Sequence, residues 1–216
     1  MKRILSLTLI LFGCFVYVAA GQQQQCAFSP VWAEFHKHNM KRWNRCENVL
    51  GVKNVGNLVL KWSYTTGSSV ESSPALANGV VYVGSYDNNV YALDAKTGGK
   101  LWNYKSGSGV FSSPAVANGV VYIGSLDSNV YALDAKTGAK LWSYTTGGFV
   151  ESSPTVVNGV VYVGSDDGNV YALSAKTGAK LWSYTTGNLV ASSPAVVNGV
   201  VYVGSFDGNV YAFGLK

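Results

Sequence analysis

A unit of 40 residues occurs four times in this chain of 216 residues, and this repetition limits the fold more than any other feature. The first copy reads SSPALANGVVYVGSYDNNVYALDAKTG from Ser72 to Gly98, and further copies start at Ser112, Ser152 and Ser192. Each copy contains four short runs of strand-forming residues that are separated by turn residues. This pattern is typical of one blade of a β-propeller, so we predict an all-β fold of four four-stranded blades.

The second copy shows how these residues would build a blade. Val110–Ala117 predicts an extended first strand, and Asn118-Gly119 predicts a tight hairpin because both turn positions need positive φ. Three further strands are predicted over 120–125, 130–134 and 140–145. The strands are apolar at consecutive positions, which indicates burial on both faces between neighbouring blades.

The ends of the repeat region predict how the ring would close. The last copy stops at Lys216 after its third strand, whereas Leu60–Gly67 (LKWSYTTG) has the sequence of a fourth strand. We expect these residues to complete the last blade, because closure removes exposed strand edges. Two arrangements remain open: a four-bladed ring within one chain, or a homodimer in which each chain completes the other's blade in an eight-bladed ring.

The first 20 residues are predicted to be a signal peptide. Lys2-Arg3 precede the apolar core Ile4–Phe12, and small residues up to Ala20 form a cleavage site. Cleavage after Ala20 is favoured over the alternative, a lipid-anchored form at Cys14, where the sequence resembles a lipoprotein processing motif. The protein is therefore expected to be exported to the periplasm or the extracellular space.

Residues 21–56 are predicted to form an N-terminal extension, followed by the propeller repeats over 57–216. Cys26 and Cys46 are expected to form a disulfide, because export permits it and no cysteine other than Cys14 accompanies them. The basic segment 30–45 could lie on a membrane surface, but packing against the propeller is favoured. A metal site at its two histidines is not expected, since a third ligand spacing is absent.

The net charge of +5 comes from the region before the repeats. From Lys61 to Lys216, lysines and acidic residues are equal in number. A neutral repeat body argues against broad nucleic-acid binding, which needs an extended basic face. We therefore expect no nucleic-acid partner.

Comparison of the four copies with one another shows where they differ. The differences lie in the stretch before each first strand and at the position before each turn aspartate, and both loops should lie on one face of the blade. Packed positions are restricted by their contacts, whereas loops often carry binding residues. The candidate ligand or partner face consists of Glu71, Tyr86, Phe111, Phe149, Glu151, Asp166 and Phe206.

The differences at this candidate face have two interpretations. Neutral variation of exposed loops would produce the same differences as a binding site. In a four-bladed ring, Glu71 and Glu151 would oppose each other across the channel, where facing carboxylates could hold a cation or a basic group.

The stretches ALDAKTGGKLW (Ala92–Trp102) and ALDAKTGAKLW (Ala132–Trp142) resemble the tryptophan-docking motif of the pyrroloquinoline-quinone (PQQ) repeat propellers. A third copy has Ser174 where the motif has Asp. Members of that family with known chemistry commonly have eight blades. The resemblance implies a structural role between adjacent blades for four residues: Trp62, Trp102, Trp142 and Trp182.

Catalytic motifs are absent from the sequence, which contains no GxSxG, no HExxH and no phosphate-binding glycine loop. PQQ dehydrogenases of the resembling family hold their quinone against a disulfide between adjacent cysteines, and this chain has no such pair. We therefore expect no cofactor, no metal and no catalytic residues.

The chain is most similar to the non-catalytic branch of that family, typified by the lipoprotein of the outer-membrane β-barrel assembly machinery. This resemblance implies an exported scaffold that binds another protein. Two alternatives remain: a propeller that binds a small ligand or carbohydrate, and a degenerate quinoprotein dehydrogenase subunit.

Overall fold

The computed structural model describes residues 48–216, whose strands form four antiparallel sheets. The first two blades contain β1 Ala75–Ala77, β2 Val80–Gly84, β3 Asn89–Asp94, β4 Lys100–Lys105, β5 Ala115–Ala117, β6 Val120–Gly124, β7 Asn129–Asp134 and β8 Lys140–Thr145. The other two contain β9 Thr155–Val157, β10 Val160–Gly164, β11 Asn169–Ser174, β12 Lys180–Thr185, β13 Ala195–Val197, β14 Val200–Gly204 and β15 Val210–Gly214. Within each sheet the strands are neighbours in chain order, so the predicted four-bladed β-propeller architecture is confirmed.

The part of the chain before the blades contributes one 3-10 turn, Val55–Asn57, to the described residues. No helix within residues 48–216 is long and apolar enough to cross a membrane. The predictions for the signal peptide, Cys14, the Cys26–Cys46 disulfide and the basic segment 30–45 lie outside the described residues.

The predicted hairpin between the first two strands of each blade is present. Asn118 has a φ of 51° and Gly119 a φ of 76°, the positive pair that a type I′ turn requires. The first strand is shorter than predicted and begins at Ala115. Pro114 has no N–H to donate, and the Val110 N–H instead donates to the Ser85 carbonyl of the preceding blade at 3.1 Å. The residues before Ala115 therefore connect two blades.

The hydrophobic core lies between successive blades. One cluster joins Val90 of the first blade to Val110 and Ile123 of the second, and all three are almost fully buried. A second cluster joins Val130 to Val150 in the same way. This arrangement explains why the strands are apolar at consecutive positions, since each blade packs against a neighbour on both faces.

A contact between a valine and a glycine sets the closest approach of adjacent blades. The Val110 side chain lies on Gly84, and a Cβ added at Gly84 would overlap the valine Cγ1. The same contact recurs twice, with Val150 on Gly124 and Val190 on Gly164. Glycine is required here because the backbone of one strand meets a side chain of the next blade directly.

The fourth blade and the first blade do not make this contact. A Cβ added at Gly204 would meet only the Ser192 side chain, with its Oγ at 3.5 Å. Val70, which corresponds to the three buried valines, is 49% exposed. The four blades therefore form an arc whose two ends do not meet.

The predicted completion of the last blade by Leu60–Gly67 of the same chain is not formed in the structure. The sheet of β13, β14 and β15 has three strands, and residues 58–66 are in no strand. The segment lies instead on the first blade, where the Trp62 Nε1 donates to the Ala95 carbonyl at 3.0 Å and the Tyr64 ring lies 5.5 Å from that of Tyr91. Because the four blades form an arc, β15 lies at the end opposite the first blade, and residues 60–66 do not reach it.

The tryptophans of the docking motif lie between blades. The Nε1 of Trp102 donates to the Ala135 carbonyl at 3.1 Å, and that of Trp142 donates to the Ala175 carbonyl at 3.0 Å. Trp182 contacts the Phe213 ring of the last blade at 4.9 Å and remains 38% exposed. Each tryptophan thus links the outer strand of one blade to the blade that follows.

The glycine contact can be tested with Gly124→Ala. Because the added Cβ would overlap Val150, we expect the free energy of unfolding to fall by about 1–3 kcal/mol, measured by denaturant titration. Gly56→Ala is the control, since a Cβ at Gly56 has nothing within 4 Å. Equal stability of the two variants would contradict the proposed role of the glycine.

Candidate functional site

The two variable loops of each blade lie side by side on one face of the arc. The Tyr86 N–H donates to the Ser69 carbonyl at 2.9 Å, which ties the loop between β2 and β3 to the loop that enters the first blade. In the third blade, the Asp166 N–H donates the equivalent hydrogen bond to the Phe149 carbonyl at 2.8 Å. The side chains that differ between copies are therefore presented together, as their loop positions predict.

An aspartate in each blade holds these loops in place. In the third blade, the Asp167 Oδ2 accepts from the Gly147 N–H at 2.6 Å and from the Tyr171 hydroxyl at 2.6 Å. Burial raises the pKa of this carboxyl, but hydrogen bonds from Tyr171, Gly147 and Asn169 outweigh it and hold the pKa below its usual value. The carboxylate thus belongs to the scaffold under the candidate face.

The equivalent aspartate of the last blade has the same role. A hydrogen bond from the Tyr211 hydroxyl, supported by the backbone N–H groups of Asn209 and Gly187, lowers the pKa of Asp207 to about 2. This carboxylate remains ionised at neutral pH and is already engaged by donors. It is therefore a structural residue of the loop.

The aromatic residues of the candidate face fall into a pair and two isolated side chains. The rings of Tyr86 and Phe111 are 5.1 Å apart with an angle of 41° between their planes. Phe149 is 51% exposed and Phe206 is 68% exposed. Exposed aromatic rings of this size provide apolar contact area for a partner at low cost in side-chain entropy.

The acidic residues of the face influence one another electrostatically. Burial raises the pKa of Glu151, and the negative charges of Asp166 and Glu71 raise it further. The structure thus brings Glu71 and Glu151 within electrostatic reach, although the ring that would place them across a closed channel is not formed. Their mutual repulsion favours a basic group as an occupant.

Asp166 has an unsatisfied oxygen within the described part of the chain. Its Oδ1 is buried and accepts no hydrogen bond there, and burial together with the charge of Asp167 raises the pKa of its carboxyl. An ionised oxygen without donors is costly to bury. A partner that supplies an N–H or a cationic group to this oxygen would remove that cost.

A groove between the third and fourth blades was not predicted from the sequence. Its volume is about 810 Å³, and its lining is mainly apolar, including Trp182, Phe213 and Leu215. One signal in the sequence marks it: the last copy has Phe213-Gly214-Leu215 where the first has Leu93-Asp94-Ala95. The groove lies away from the candidate face, on the side of the outer strand β12.

Across residues 48–216, no three His, Cys, Asp or Glu side chains come together in a group that could hold a metal ion.

A family model described as outer membrane protein assembly factor BamB matches residues 59–113 and 105–216 of this chain. Comparison with curated protein sequences gave no match.

Solved structures with the same fold include BamB from Moraxella catarrhalis, with a TM-score of 0.64 and 23% identity over 70% of this chain and 52% of that chain. Two quinohemoprotein alcohol dehydrogenases are also similar. The enzyme from Comamonas testosteroni has a TM-score of 0.75 and 23% identity over 85% of this chain and 36% of its own. ADHIIG from Pseudomonas putida HK5 has a TM-score of 0.72 and 27% identity over 82% of this chain and 34% of its own. The chain thus spans about half the length of BamB and about a third of each dehydrogenase.

Asp166→Asn tests the electrostatic cost at the face. A raised pKa means that the ionised carboxylate is less favourable in the folded than in the unfolded protein, and this cost is complete above the raised pKa. We therefore expect the variant to unfold at higher denaturant at pH 7, by less than about 1 kcal/mol, with the difference vanishing below the ordinary pKa of aspartate.

Asp134→Asn is the control of opposite sign. Hydrogen bonds from Thr137 lower the pKa of Asp134, so its ionised form stabilises the folded state above the ordinary pKa of aspartate. This variant should be less stable than the wild type at pH 7. A loss of stability in Asp166→Asn at pH 7 would refute the assignment of an uncompensated charge.

Proposed function

Because the chain belongs to the family of outer membrane protein assembly factor BamB, we propose that it is an exported, non-catalytic propeller that binds another protein through its variable face. The exposed aromatic rings of Phe149 and Phe206 carry this proposal. They stand on loops that are fixed by backbone hydrogen bonds, while the repeated positions beneath them are buried. A rigid scaffold that presents a few exposed aromatic residues is suited to binding a partner.

The chemistry of the face indicates the kind of partner. Glu71, Glu151 and Asp166 provide negative charge next to the aromatic rings, and the Asp166 Oδ1 lacks a donor among the described residues. A protein segment with lysine or arginine between apolar residues would complement both features. A second copy of the chain is a further partner, at the open ends of the arc.

The proposed partner can be identified by photo-crosslinking in the cell. A photoreactive phenylalanine analogue at position 149 or 206 should crosslink to the same protein, identified by mass spectrometry. Leu101 and Leu141 are matched control positions, because each is 53% exposed and both lie on outer strands away from the face. Equal crosslinking from all four positions, or none from the face, would refute the proposed interface.

Affinity for the identified protein provides the quantitative test. Phe149→Ala and Phe206→Ala should each weaken binding about tenfold, as expected for aromatic residues at the centre of an interface. Leu141→Ala should leave the affinity unchanged. Glu151→Gln should weaken binding and reduce its dependence on salt, because one attractive charge is removed.

The alternative dehydrogenase function has a direct test. We propose no quinone cofactor, since the sequence lacks the adjacent cysteine pair that the resembling enzymes use. Addition of PQQ and calcium should therefore give no stoichiometric complex in absorbance titrations and no dye reduction with primary alcohols. A stoichiometric complex would overturn the non-catalytic assignment and leave the fold unaffected.

A further inference from the structure

We infer that two copies of this chain assemble head to tail into one ring, with residues 60–66 of each copy forming the missing outer strand beside β15 of the other. Both surfaces that this interface requires are exposed in the structure. At one end of the arc, Val210 of β15 is 80% exposed, whereas the equivalent Val90, Val130 and Val170 are fully buried. At the other end, Val70 is 49% exposed while its three equivalents are buried.

The residues that would join the two copies already meet three times within one chain. Val90 packs with Val110, Val130 with Val150, and Val170 with Val190, always across the boundary between two blades. The fourth member of this series would be Val210 with Val70 of a second copy. The interface between copies is therefore a continuation of an interface that the chain itself contains.

Residues 60–66 have the sequence that an outer strand beside β15 requires. Residues 62–67 read WSYTTG, identical to residues 142–147 and 182–187 in the outer strands of the second and third blades. In the third blade, Ala172 of β11 pairs with Trp182, and Val170 pairs with Tyr184. The same register pairs Ala212 and Val210 with Trp62 and Tyr64 of the second copy.

No rearrangement of the segment is needed for this pairing. Trp62 and Tyr64 already lie on the first blade of their own chain with the contacts that other outer strands make to the blade that follows. Within residues 48–216, the segment pairs with no strand. It can therefore add to the edge of β15 of a second copy by strand addition while it keeps its own contacts.

Two further features of the last blade fit this arrangement. Ser112 and Ser152 each donate from Oγ to a serine carbonyl of the next blade, at 3.0 Å and 2.9 Å, whereas Ser192 donates to the Gly204 carbonyl of its own blade. The apolar groove at Trp182 and Phe213 lies where Leu58–Leu60 of the second copy would approach, and these three residues are 61–82% exposed. Apolar surfaces on both partners would thus be covered.

A closed ring built from whole copies needs at least two of them. The blades of one copy leave their ends apart, and whole copies add four blades at a time. Such a ring has two-fold symmetry, and each of its two contacts joins the first blade of one copy to the last blade of the other.

Light scattering of the exported protein, purified after removal of its signal peptide, tests the inference over a range of concentrations. Reducing buffer prevents any contribution from disulfides between copies. We expect twice the mass of one chain for the wild type. A single-chain mass throughout the range, which is the result for closure within one chain, would overturn the inference, and so would a mass that grows without limit.

Gly204→Ala separates the proposed interface from other modes of association. Within one copy the added Cβ meets only the Ser192 side chain at ordinary contact distance, so the fold and its circular dichroism spectrum should be preserved. Against Val70 of a second copy, the Cβ would overlap as it would at Gly124. The dissociation constant of the dimer should therefore rise about tenfold or more. An unchanged dimer would refute the interface.

Val70→Asp provides an independent variant on the opposite surface. Its side chain is half exposed in one copy but would be buried in the dimer, so this variant should also be monomeric and folded. Mixing the two variants restores one intact interface per pair, and a heterodimer should appear that neither variant forms alone. Absence of this heterodimer would contradict a head-to-tail contact.

Discussion

The valine side chain that lies on a backbone glycine of the preceding blade is the contact on which the rest of the structure depends. Sheets of three or four short strands cannot bury both faces alone, and the contact brings the next sheet close enough to do so. Val110 on Gly84, Val150 on Gly124 and Val190 on Gly164 repeat this spacing. The buried residues of β2, β3 and their equivalents are apolar on both faces because each face meets a neighbouring blade.

This packing also determines which positions can differ between blades without disturbing the contacts between them. A change at Val150 or Gly124 would alter the distance between blades, whereas a change at Phe149 leaves the interface intact. The aspartate that binds the loop N–H groups, Asp167 in the third blade, fixes the loop backbone without restricting its neighbours. Residues next to each other in sequence therefore have different roles. Asp167 holds the loop, and Asp166 is half-buried on the candidate face with an oxygen that has no donor in the described chain.

The blades could be predicted from the sequence because every signal for them is local. Asn118-Gly119 requires positive φ at two positions, and the apolar runs before and after it are too short for anything but buried strands. The variable face was predictable for the same reason, since comparison of the copies identifies positions that packing does not restrict. The prediction that Tyr86 and its neighbours share one face with the loop before the first strand needs only the order of four strands.

Closure of the ring could not be predicted in the same way. It depends on the angle between blades, which results from side-chain packing at three interfaces and has no local signature. Leu60–Gly67 has the residues of an outer strand, but sequence alone does not say which β15 it meets. The exposure of Val70 and Val210 shows that the two ends of one chain are separate. The buried Asp166 oxygen and the groove at Phe213 likewise depend on positions in space that the repeat pattern does not encode.

The near-identity of the three interblade contacts has a consequence for how such a chain changes during evolution. Because every blade presents the same valine on one side and the same glycine on the other, duplication or loss of one 40-residue unit creates no new type of interface. Unequal recombination within the gene would therefore yield chains with more or fewer blades that still pack correctly. The number of repeats in one gene can thus vary independently of the number of blades in the assembled ring.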